Sequence, residues 1–119
     1  MQHLIVTLGD PNGLGPELVC RVFGAGTASR DILIIGPESS LHASCQQMGI
    51  EPFWQTLPTV DTLDRLPPGV SLFTPFPLHD FCPDPGRATQ EGGKAAGVSL
   101  STACVLLKKG LARGVVTCP

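Results

Sequence analysis

Short runs of aliphatic residues alternate in this chain with stretches whose apolar residues recur at helical spacing. Leu4 to Leu8 and Ile32 to Ile35 are two such runs, and glycine and proline follow each of them. Runs of this length, rich in β-branched residues, indicate buried strands. Strands that alternate with helices are typical of an α/β protein with a largely parallel sheet flanked by helices. Ligands of such sheets usually bind beyond the carboxyl ends of the strands.

Two helices are predicted after these two strands. Pro16 suits the first position of the earlier helix, and Gly24 ends it. The later helix starts at the Gly36-Pro37-Glu38 segment and ends at Gly49. We expect the apolar residues of the earlier helix to share one face: Leu18, Val19, Val22 and Phe23.

The second half of the chain predicts further strands and one long helix. Phe53 to Leu57, Val70 to Thr74 and Val115 to Cys118 are the predicted strands. Four prolines between residues 75 and 86 forbid a central strand there, so we expect an exposed loop. Thr89 is a suitable N-cap for the helix that follows. Its apolar stripe is predicted from four residues at helical spacing: Ala96, Leu100, Ala103 and Leu107.

Composition narrows the class of protein. A chain of 119 residues with 42% hydrophobic content supports one core. A net charge of −2 without a basic run gives no electrostatic basis for binding nucleic acid or a membrane. No apolar run approaches the roughly 20 residues of a membrane span, and the first residues do not form a signal peptide. We therefore expect a cytoplasmic location, small-molecule partners and five reduced cysteines.

The loop Gly9-Asp10-Pro11-Asn12-Gly13-Leu14-Gly15-Pro16-Glu17 follows the first strand directly. It contains Gly-x-Gly, but Leu18 replaces the third glycine of a dinucleotide fingerprint. A helix that opens with Pro16 and Glu17 is also a poor phosphate cradle. Asp10 lies at the carboxyl end of the strand, where a carboxylate can orient a cofactor or substrate hydroxyl. The alternative role of Asp10 is a local Asx turn.

Three segments carry a resemblance to one family. The loop at residues 9–17 resembles the Gly-Asp-Pro-x-Gly-Ile-Gly-Pro-Glu signature of the 4-hydroxythreonine-4-phosphate dehydrogenases, with Leu14 for isoleucine. Residues 86–96 resemble the family's Gly-Lys-x-Ser-x-Glu-x-Gly-x-x-Ala helix start, and residues 114–119 resemble the strand that leads into its Thr-x-Pro-Ile-Asn-Lys motif. The loop is also similar to the shorter Gly-Asp-Gly-Ile-Gly-Pro-Glu loop of isopropylmalate dehydrogenases, whose fold binds NAD without three glycines.

The resemblance implies an isopropylmalate-dehydrogenase-like α/β fold that is incomplete in this chain. Residues 1–119 would be the N-terminal part of a two-domain NAD-dependent dehydrogenase, truncated before its metal-binding region. The full-length protein would oxidise and decarboxylate 4-phosphohydroxy-L-threonine in pyridoxal 5′-phosphate (vitamin B6) biosynthesis, whereas the fragment would be inactive alone. A divalent metal (zinc, magnesium or cobalt) would be bound by residues absent from this chain, and the full-length protein would be a homodimer.

Five residues of these segments are candidate site residues because of their positions. Asp10 and Thr117 are the candidate catalytic residues, and Gly13, Leu14 and Gly15 are the candidate cofactor-binding residues. Four of them lie in the loop after the first predicted strand, and Thr117 lies at the end of the last predicted strand. Arg87 and Lys94 are set aside, because most surface charges are simply solvated.

No metal site is predicted within this chain. Residues 79–84 place a histidine, two aspartates and a cysteine within six positions, but their spacing is not that of a common zinc motif. The three histidines match no metal ligand of the family: His3, His42 and His79.

Two other functions stay open from the sequence. The chain could be a non-catalytic module that binds NAD or a protein partner. It could instead belong to a dehydrogenase of another phosphorylated hydroxy acid or of an isopropylmalate-type diacid, although Pro11-Asn12 is an insertion relative to the isopropylmalate loop. A chain that stops at Pro119 is further expected to leave apolar surface and a sheet edge uncovered.

Overall fold

The computed structural model describes residues 3–26 and 31–119 of the chain. Strands and helices alternate along the described part, except that the strands Gln55–Leu57 and Val70–Phe73 follow each other without a helix between them. One short 3₁₀ turn precedes the last helix. The strands are β1 (Leu4–Thr7), β2 (Ile32–Ile35), β3 (Gln55–Leu57), β4 (Val70–Phe73) and β5 (Gly114–Thr117). The helices are α1 (Gly15–Phe23), α2 (Glu38–Met48) and α3 (Gln90–Lys108), and the 3₁₀ turn is Phe76–Leu78.

All five strands are parallel and form one sheet in the order β3-β4-β2-β1-β5. The register places Leu4 beside Ile32 on one side and beside Gly114 on the other. This architecture confirms the predicted α/β class, and the sheet is parallel throughout. Parallel sheets need cover on both faces, which explains why the central strands are aliphatic without polar alternation.

The helices cover both faces of the sheet. Successive strand residues point to opposite faces, so Ile5 and Val6 enter two different cores. One core joins the sheet to α3 through residues that include Ile5, Leu33, Ala103 and Leu106. The other joins it to α1 and α2 through residues that include Val6, Ile34, Val19 and Leu41.

The face that α3 buries differs from the predicted one. Leu100 and Leu107 of the predicted stripe are 44% and 37% exposed, and only Ala103 is fully buried. The buried face lies about one position away along the helix: Gly92, Ala95, Ser99, Ala103 and Leu106. Small residues at the start of this face let α3 approach the loop after β1 closely. Contact with that loop, rather than side-chain size, selects the face.

Two further predictions need correction. Leu18 and Val22 of α1 are exposed, because α1 buries Val19 and Cys20 instead. The proline-rich segment 75–86 is not exposed throughout, since Pro75 and Leu78 are buried at the 3₁₀ turn. Within residues 3–26 and 31–119, no helix combines the length and apolar character needed to cross a membrane.

The strand order reverses at β1. From β1 the chain proceeds through α1 to β2 on one side, while β5 returns through α3 to the other side of β1. The crevice beyond the carboxyl ends of strands at such a reversal is the usual ligand site of an open α/β sheet. The loop that follows β1 lies at this position.

Candidate functional site

Close backbone contacts fix the loop after β1. Gly9 has a φ of 69°, and a Cβ there would lie 2.3 Å from the Cys118 carbonyl oxygen. At Gly15 a Cβ would lie 1.9 Å from the Leu8 carbonyl oxygen. The Asp10 N–H donates to the Pro119 carbonyl at 3.3 Å, which ties the loop to the end of β5. Both glycines are therefore required by the path of the backbone.

A cavity of about 520 Å³ opens beside this loop. It is lined by residues of the loop and of α1, by Ser44 and Gln47 of α2, and by the segment just before α3. Its volume falls within the range of about 300–1,000 Å³ that is usual for small-molecule sites. The lining residues used below are Asp10, Asn12, Gly13, Leu14, Glu17 and Arg87.

Asp10 lines the cavity and also forms an Asx turn. Its Oδ1 accepts a hydrogen bond from the Asn12 N–H at 2.9 Å. Within the part of the chain that the structure describes, Oδ2 of Asp10 receives no hydrogen bond. The two roles weighed from the sequence are therefore compatible, because one carboxylate oxygen shapes the loop while the other is available to a ligand hydroxyl.

The predicted site residues do not all meet at the cavity. Gly13 and Leu14 line it together with Asp10, and the Leu14 side chain is 60% exposed. Gly15 is buried at the start of α1. Thr117 lies on β5, paired with Thr7 and exposed to solvent. A catalytic role for Thr117 and a cofactor contact for Gly15 stay predictions.

Two cavity residues were missed from the sequence. Arg87 lies in the wall before α3 and pairs with Asp84, with 3.6 Å between Nη1 and Oδ2. Asn12, 3% exposed, bonds through its side chain to Asp84 and Thr89. The resemblance of residues 86–96 to the family's helix start was the available signal for Arg87. The sequence carried no signal for the role of Asn12, because the residues to which its side chain bonds lie more than 70 positions away along the chain.

A second cavity, of about 420 Å³, lies beyond the ends of β2, β3 and β4, where Glu38 is the central charged group. The Trp54 indole N–H donates to Glu38 Oε2 at 2.9 Å, and the Thr56 hydroxyl donates to the same oxygen. Partial burial alone raises the pKa of Glu38, but these hydrogen bonds and the nearby His42 and His79 outweigh it, so the pKa is lowered. Glu38 therefore stays ionised to a lower pH than an unperturbed glutamate.

The described residues supply no ligand set for a metal. Across residues 3–26 and 31–119, no group of three or more histidine, cysteine, aspartate or glutamate side chains could hold an ion. The Nε2–H of His79 donates to the Thr74 carbonyl at 2.8 Å, and the Nε2–H of His3 donates to the Pro67 carbonyl at 2.9 Å.

The cysteines are free thiols in three environments. Cys20 and Cys45 are buried between α1 and α2, with their sulfur atoms 3.7 Å apart. Burial, the Cys45 thiol and the charge of Glu17 raise the pKa of Cys20 to about 12. Burial also raises the pKa of Cys118, which is half-buried. Cys82 and Cys104 are exposed.

An apolar groove of about 290 Å³ runs between α1 and β5 on the α1 face of the sheet. Val116 of β5 is 51% exposed there, and Leu18 and Val22 of α1 are 41% and 54% exposed. Within residues 3–26 and 31–119, no segment covers this groove where β5 joins the sheet. This observation agrees with the expected uncovered apolar surface.

No protein-family model matches the sequence. Curated relatives do match along almost its whole length. A 4-hydroxythreonine-4-phosphate dehydrogenase from Desulfosudis oleivorans is 31% identical over 118 residues, which cover 96% of this chain and 34% of that protein. Another from Beijerinckia indica is 27% identical over 116 residues, which cover 98% of this chain and 34% of that protein. The resemblance to the 4-hydroxythreonine-4-phosphate dehydrogenases is thereby confirmed.

Not every relative shares that name. A D-threonate 4-phosphate dehydrogenase from Bordetella bronchiseptica is 29% identical over 120 residues, which cover 98% of this chain and 34% of that protein. The chain thus spans about a third of the length of the curated relatives that it matches. Relatives with two different substrates in their names match equally long parts of it.

Solved structures show the same fold. The 4-hydroxythreonine-4-phosphate dehydrogenase of Burkholderia phymatum superposes with a TM-score of 0.77 at 24% identity, covering 100% of this chain and 36% of that one. The 4-hydroxythreonine-4-phosphate dehydrogenase of Klebsiella pneumoniae gives a TM-score of 0.71 at 21% identity, and the match covers 100% of this chain and 37% of that one. The five-stranded parallel sheet is therefore shared with part of the 4-hydroxythreonine-4-phosphate dehydrogenase fold.

Proposed function

We propose that residues 1–119 are the N-terminal part of an NAD-dependent dehydrogenase that oxidises the secondary alcohol of a phosphorylated hydroxy acid. The observation that carries the proposal is the cavity beside Asp10, which lies at the strand-order reversal of a sheet shared with the 4-hydroxythreonine-4-phosphate dehydrogenases. For the complete protein we propose oxidation and decarboxylation of 4-phosphohydroxy-L-threonine in vitamin B6 biosynthesis. A cytoplasmic location and a homodimer stay predictions for that protein.

The residues of the cavity fit part of a dinucleotide. Gly13 leaves a stretch of backbone without a side chain, and a Cβ there would meet the Asp10 carbonyl at 3.3 Å. Asp10 and Glu17 offer carboxylate oxygens to ribose hydroxyls, and Arg87 offers a guanidinium to a phosphate. Bound NAD would accept the hydride that leaves the substrate carbon.

The proposed tasks of this chain are binding and orientation. The free Oδ2 of Asp10 accepts a hydrogen bond from a hydroxyl of the cofactor or substrate and fixes the direction of that hydroxyl. Leu14 supplies apolar contact at the mouth of the cavity. A divalent metal would be held by residues outside this chain, since residues 3–26 and 31–119 contain no group of three or more histidine, cysteine, aspartate or glutamate side chains that could hold one.

The test compares two proteins: the 119-residue chain and the protein encoded by the whole reading frame. NAD reduction is followed at 340 nm with 4-phosphohydroxy-L-threonine, with D-threonate 4-phosphate and with isopropylmalate, each with zinc, magnesium or cobalt. We expect turnover of a phosphorylated substrate by the longer protein only. Activity of the 119-residue chain would show that it holds a complete site, and inactivity of both proteins on every substrate would refute the proposal.

The D-threonate relative supports a second candidate substrate, because it matches as much of the chain as the others do. A higher kcat/KM for D-threonate 4-phosphate would select this alternative without changing the reaction class. Binding of NAD without turnover of any substrate would instead favour the non-catalytic module.

A further inference from the structure

Asn12 joins three segments of the chain through four hydrogen bonds. Its side-chain Nδ2 donates to Thr89 Oγ1 at 3.1 Å, and its Oδ1 accepts from the Asp84 N–H at 2.7 Å. Its backbone carbonyl accepts from the Gly86 N–H at 2.8 Å, and its N–H donates to Asp10. A side chain that is 3% exposed and bonded at both ends is held in one orientation.

Gly92 provides a second observation at the same junction. A Cβ at Gly92 would lie 2.6 Å from Oδ1 of Asp10 and 3.2 Å from Nδ2 of Asn12. Thr89 Oγ1 also accepts the Gly92 N–H at 3.0 Å as the N-cap of α3. The first turn of α3 therefore lies directly against the β1–α1 loop, and Asn12 connects the two.

The β1–α1 loop and the segment before α3 both line the cavity, together with α2. Asp10, Gly13 and Leu14 form the loop wall, and residues 85–88 form the wall before α3. Because the Asn12 side chain bonds to Asp84 and to Thr89, which flank residues 85–88, it holds that wall against the loop that carries Asp10.

We propose that Asn12 is a positioning residue that holds the Asp10 wall and the Arg87 wall in the arrangement that binds the dinucleotide. This proposal rests on the function proposed above. The Asn12 side chain acts through its neighbours: it holds Asp84 and Thr89, which precede and follow Arg87, against the β1–α1 loop. The resemblance signature leaves this position variable, so the role follows from the contacts alone.

The test uses the protein encoded by the whole reading frame and the variants Asn12→Ala, Thr89→Val and Thr89→Ser. The valine variant keeps the shape of Thr89 and removes its hydroxyl, whereas the serine variant keeps the hydroxyl. NAD affinity is measured by calorimetry, and KM and kcat are measured separately. Leu106→Ala is the control, because it destabilises the core beneath α3 without touching the cavity.

We expect Asn12→Ala and Thr89→Val each to weaken NAD binding and raise the KM for NAD about tenfold, the order expected for a lost buried hydrogen-bond pair. Thr89→Ser should restore near-normal affinity. The double variant Asn12→Ala with Thr89→Val should lose less than the product of the single losses, because each single variant already removes the hydrogen bond that the two residues share. Leu106→Ala should leave affinity unchanged at a temperature where it is folded.

Amide hydrogen exchange separates this proposal from the proposed function. The Asp84 N–H should exchange faster in Asn12→Ala than in the wild-type protein, whether or not NAD binds, because it loses its acceptor, Asn12 Oδ1. The Gly86 N–H keeps its acceptor, the Asn12 backbone carbonyl, and is the internal control. Unchanged exchange at Asp84 would overturn the proposal. Faster exchange with unchanged NAD affinity would also overturn it, since Asn12 would then be only structural. A wild-type protein that binds no NAD would overturn the role in dinucleotide binding together with the proposed function.

Discussion

Oδ1 of Asp10 accepts the N–H of Asn12 at 2.9 Å, while Oδ2 of Asp10 has no partner in the described ranges, residues 3–26 and 31–119. Asp10→Asn can keep the first bond through its amide oxygen and replaces the second oxygen by an N–H donor. In the complete protein we expect kcat/KM to fall about 10- to 100-fold, the order of one hydrogen bond to a charged group. Steady-state kinetics measure the loss, and the exposed Asp64→Asn is the control, for which we expect no change.

Alanine substitutions at two glycines should have opposite effects on stability, because a side chain would collide with the backbone at Gly15 and would only raise helix propensity at Gly93. Gly15→Ala places a Cβ 1.9 Å from the Leu8 carbonyl, so the free energy of unfolding should fall by more than about 2 kcal/mol. Gly93→Ala, in the first turn of α3, meets nothing within 4 Å and should raise it by about 0.5–1 kcal/mol. Urea titrations of both variants measure the difference. Equal effects would show that the path of the backbone near Leu8 is not as described.

The lowered pKa of Glu38 makes its contribution to stability pH-dependent. The group is ionised in the folded state down to a lower pH than in the unfolded chain. Its stabilisation is thus present above the unfolded pKa of about 4.3 and is lost as pH falls through the folded value. Glu38→Gln should cost about 1 kcal/mol near pH 6, after screening by solvent, and progressively less below about pH 4.

The free energy of unfolding is measured by urea titration at each pH. Trp54 fluorescence distinguishes the folded from the unfolded protein, because the indole donates to Glu38 only in the folded one. Thr56→Val removes one of the hydrogen bonds and should give part of the same pH dependence. A difference between wild type and Glu38→Gln that stays constant from pH 6 to pH 3 would contradict this account.

The exposure of the thiols predicts their order of reaction with iodoacetamide. Cys82 and Cys104 should be modified first, because they are exposed. Cys20 should be the slowest, because burial and a pKa of about 12 keep its thiolate population small. Peptide mass spectrometry after timed quenching gives the order, and urea should remove the protection. Early modification of Cys20 in the native protein would mean that α1 opens readily from α2.

The groove between α1 and β5 should drive association of the 119-residue chain. Val116→Ser and Val22→Ser each remove exposed apolar area from it and should shift the chain toward monomer in sedimentation velocity. Val105→Ser, on α3 and 54% exposed, lies outside the groove and should leave association unchanged. A wild-type chain that stays monomeric and unfolds cooperatively would refute the expectation.

Local residue patterns were sufficient to predict the bounds and caps of those strands and helices that depend on neighbours in sequence. The bounds of β2 match the aliphatic run Ile32 to Ile35, and Gly49 ends α2 with a φ of 68°. Thr89 caps α3 as expected from its position before Glu91. Strand propensity, capping and left-handed turns involve only a few adjacent residues, so the sequence determines them directly.

Only the tertiary structure decided which helix faces are buried and how the cavity is assembled. Leu100 and Leu107 are longer than Ala95 and Ser99, yet the smaller residues are buried because α3 meets the β1–α1 loop closely at Gly92. The side-chain partners of Asn12 lie 72 and 77 positions along the chain. The sequence by itself determined the order of strands and helices and the signature loop. Contacts between distant segments decided the buried helix faces and the assembly of the cavity, because packing depends on which surfaces the sheet brings together.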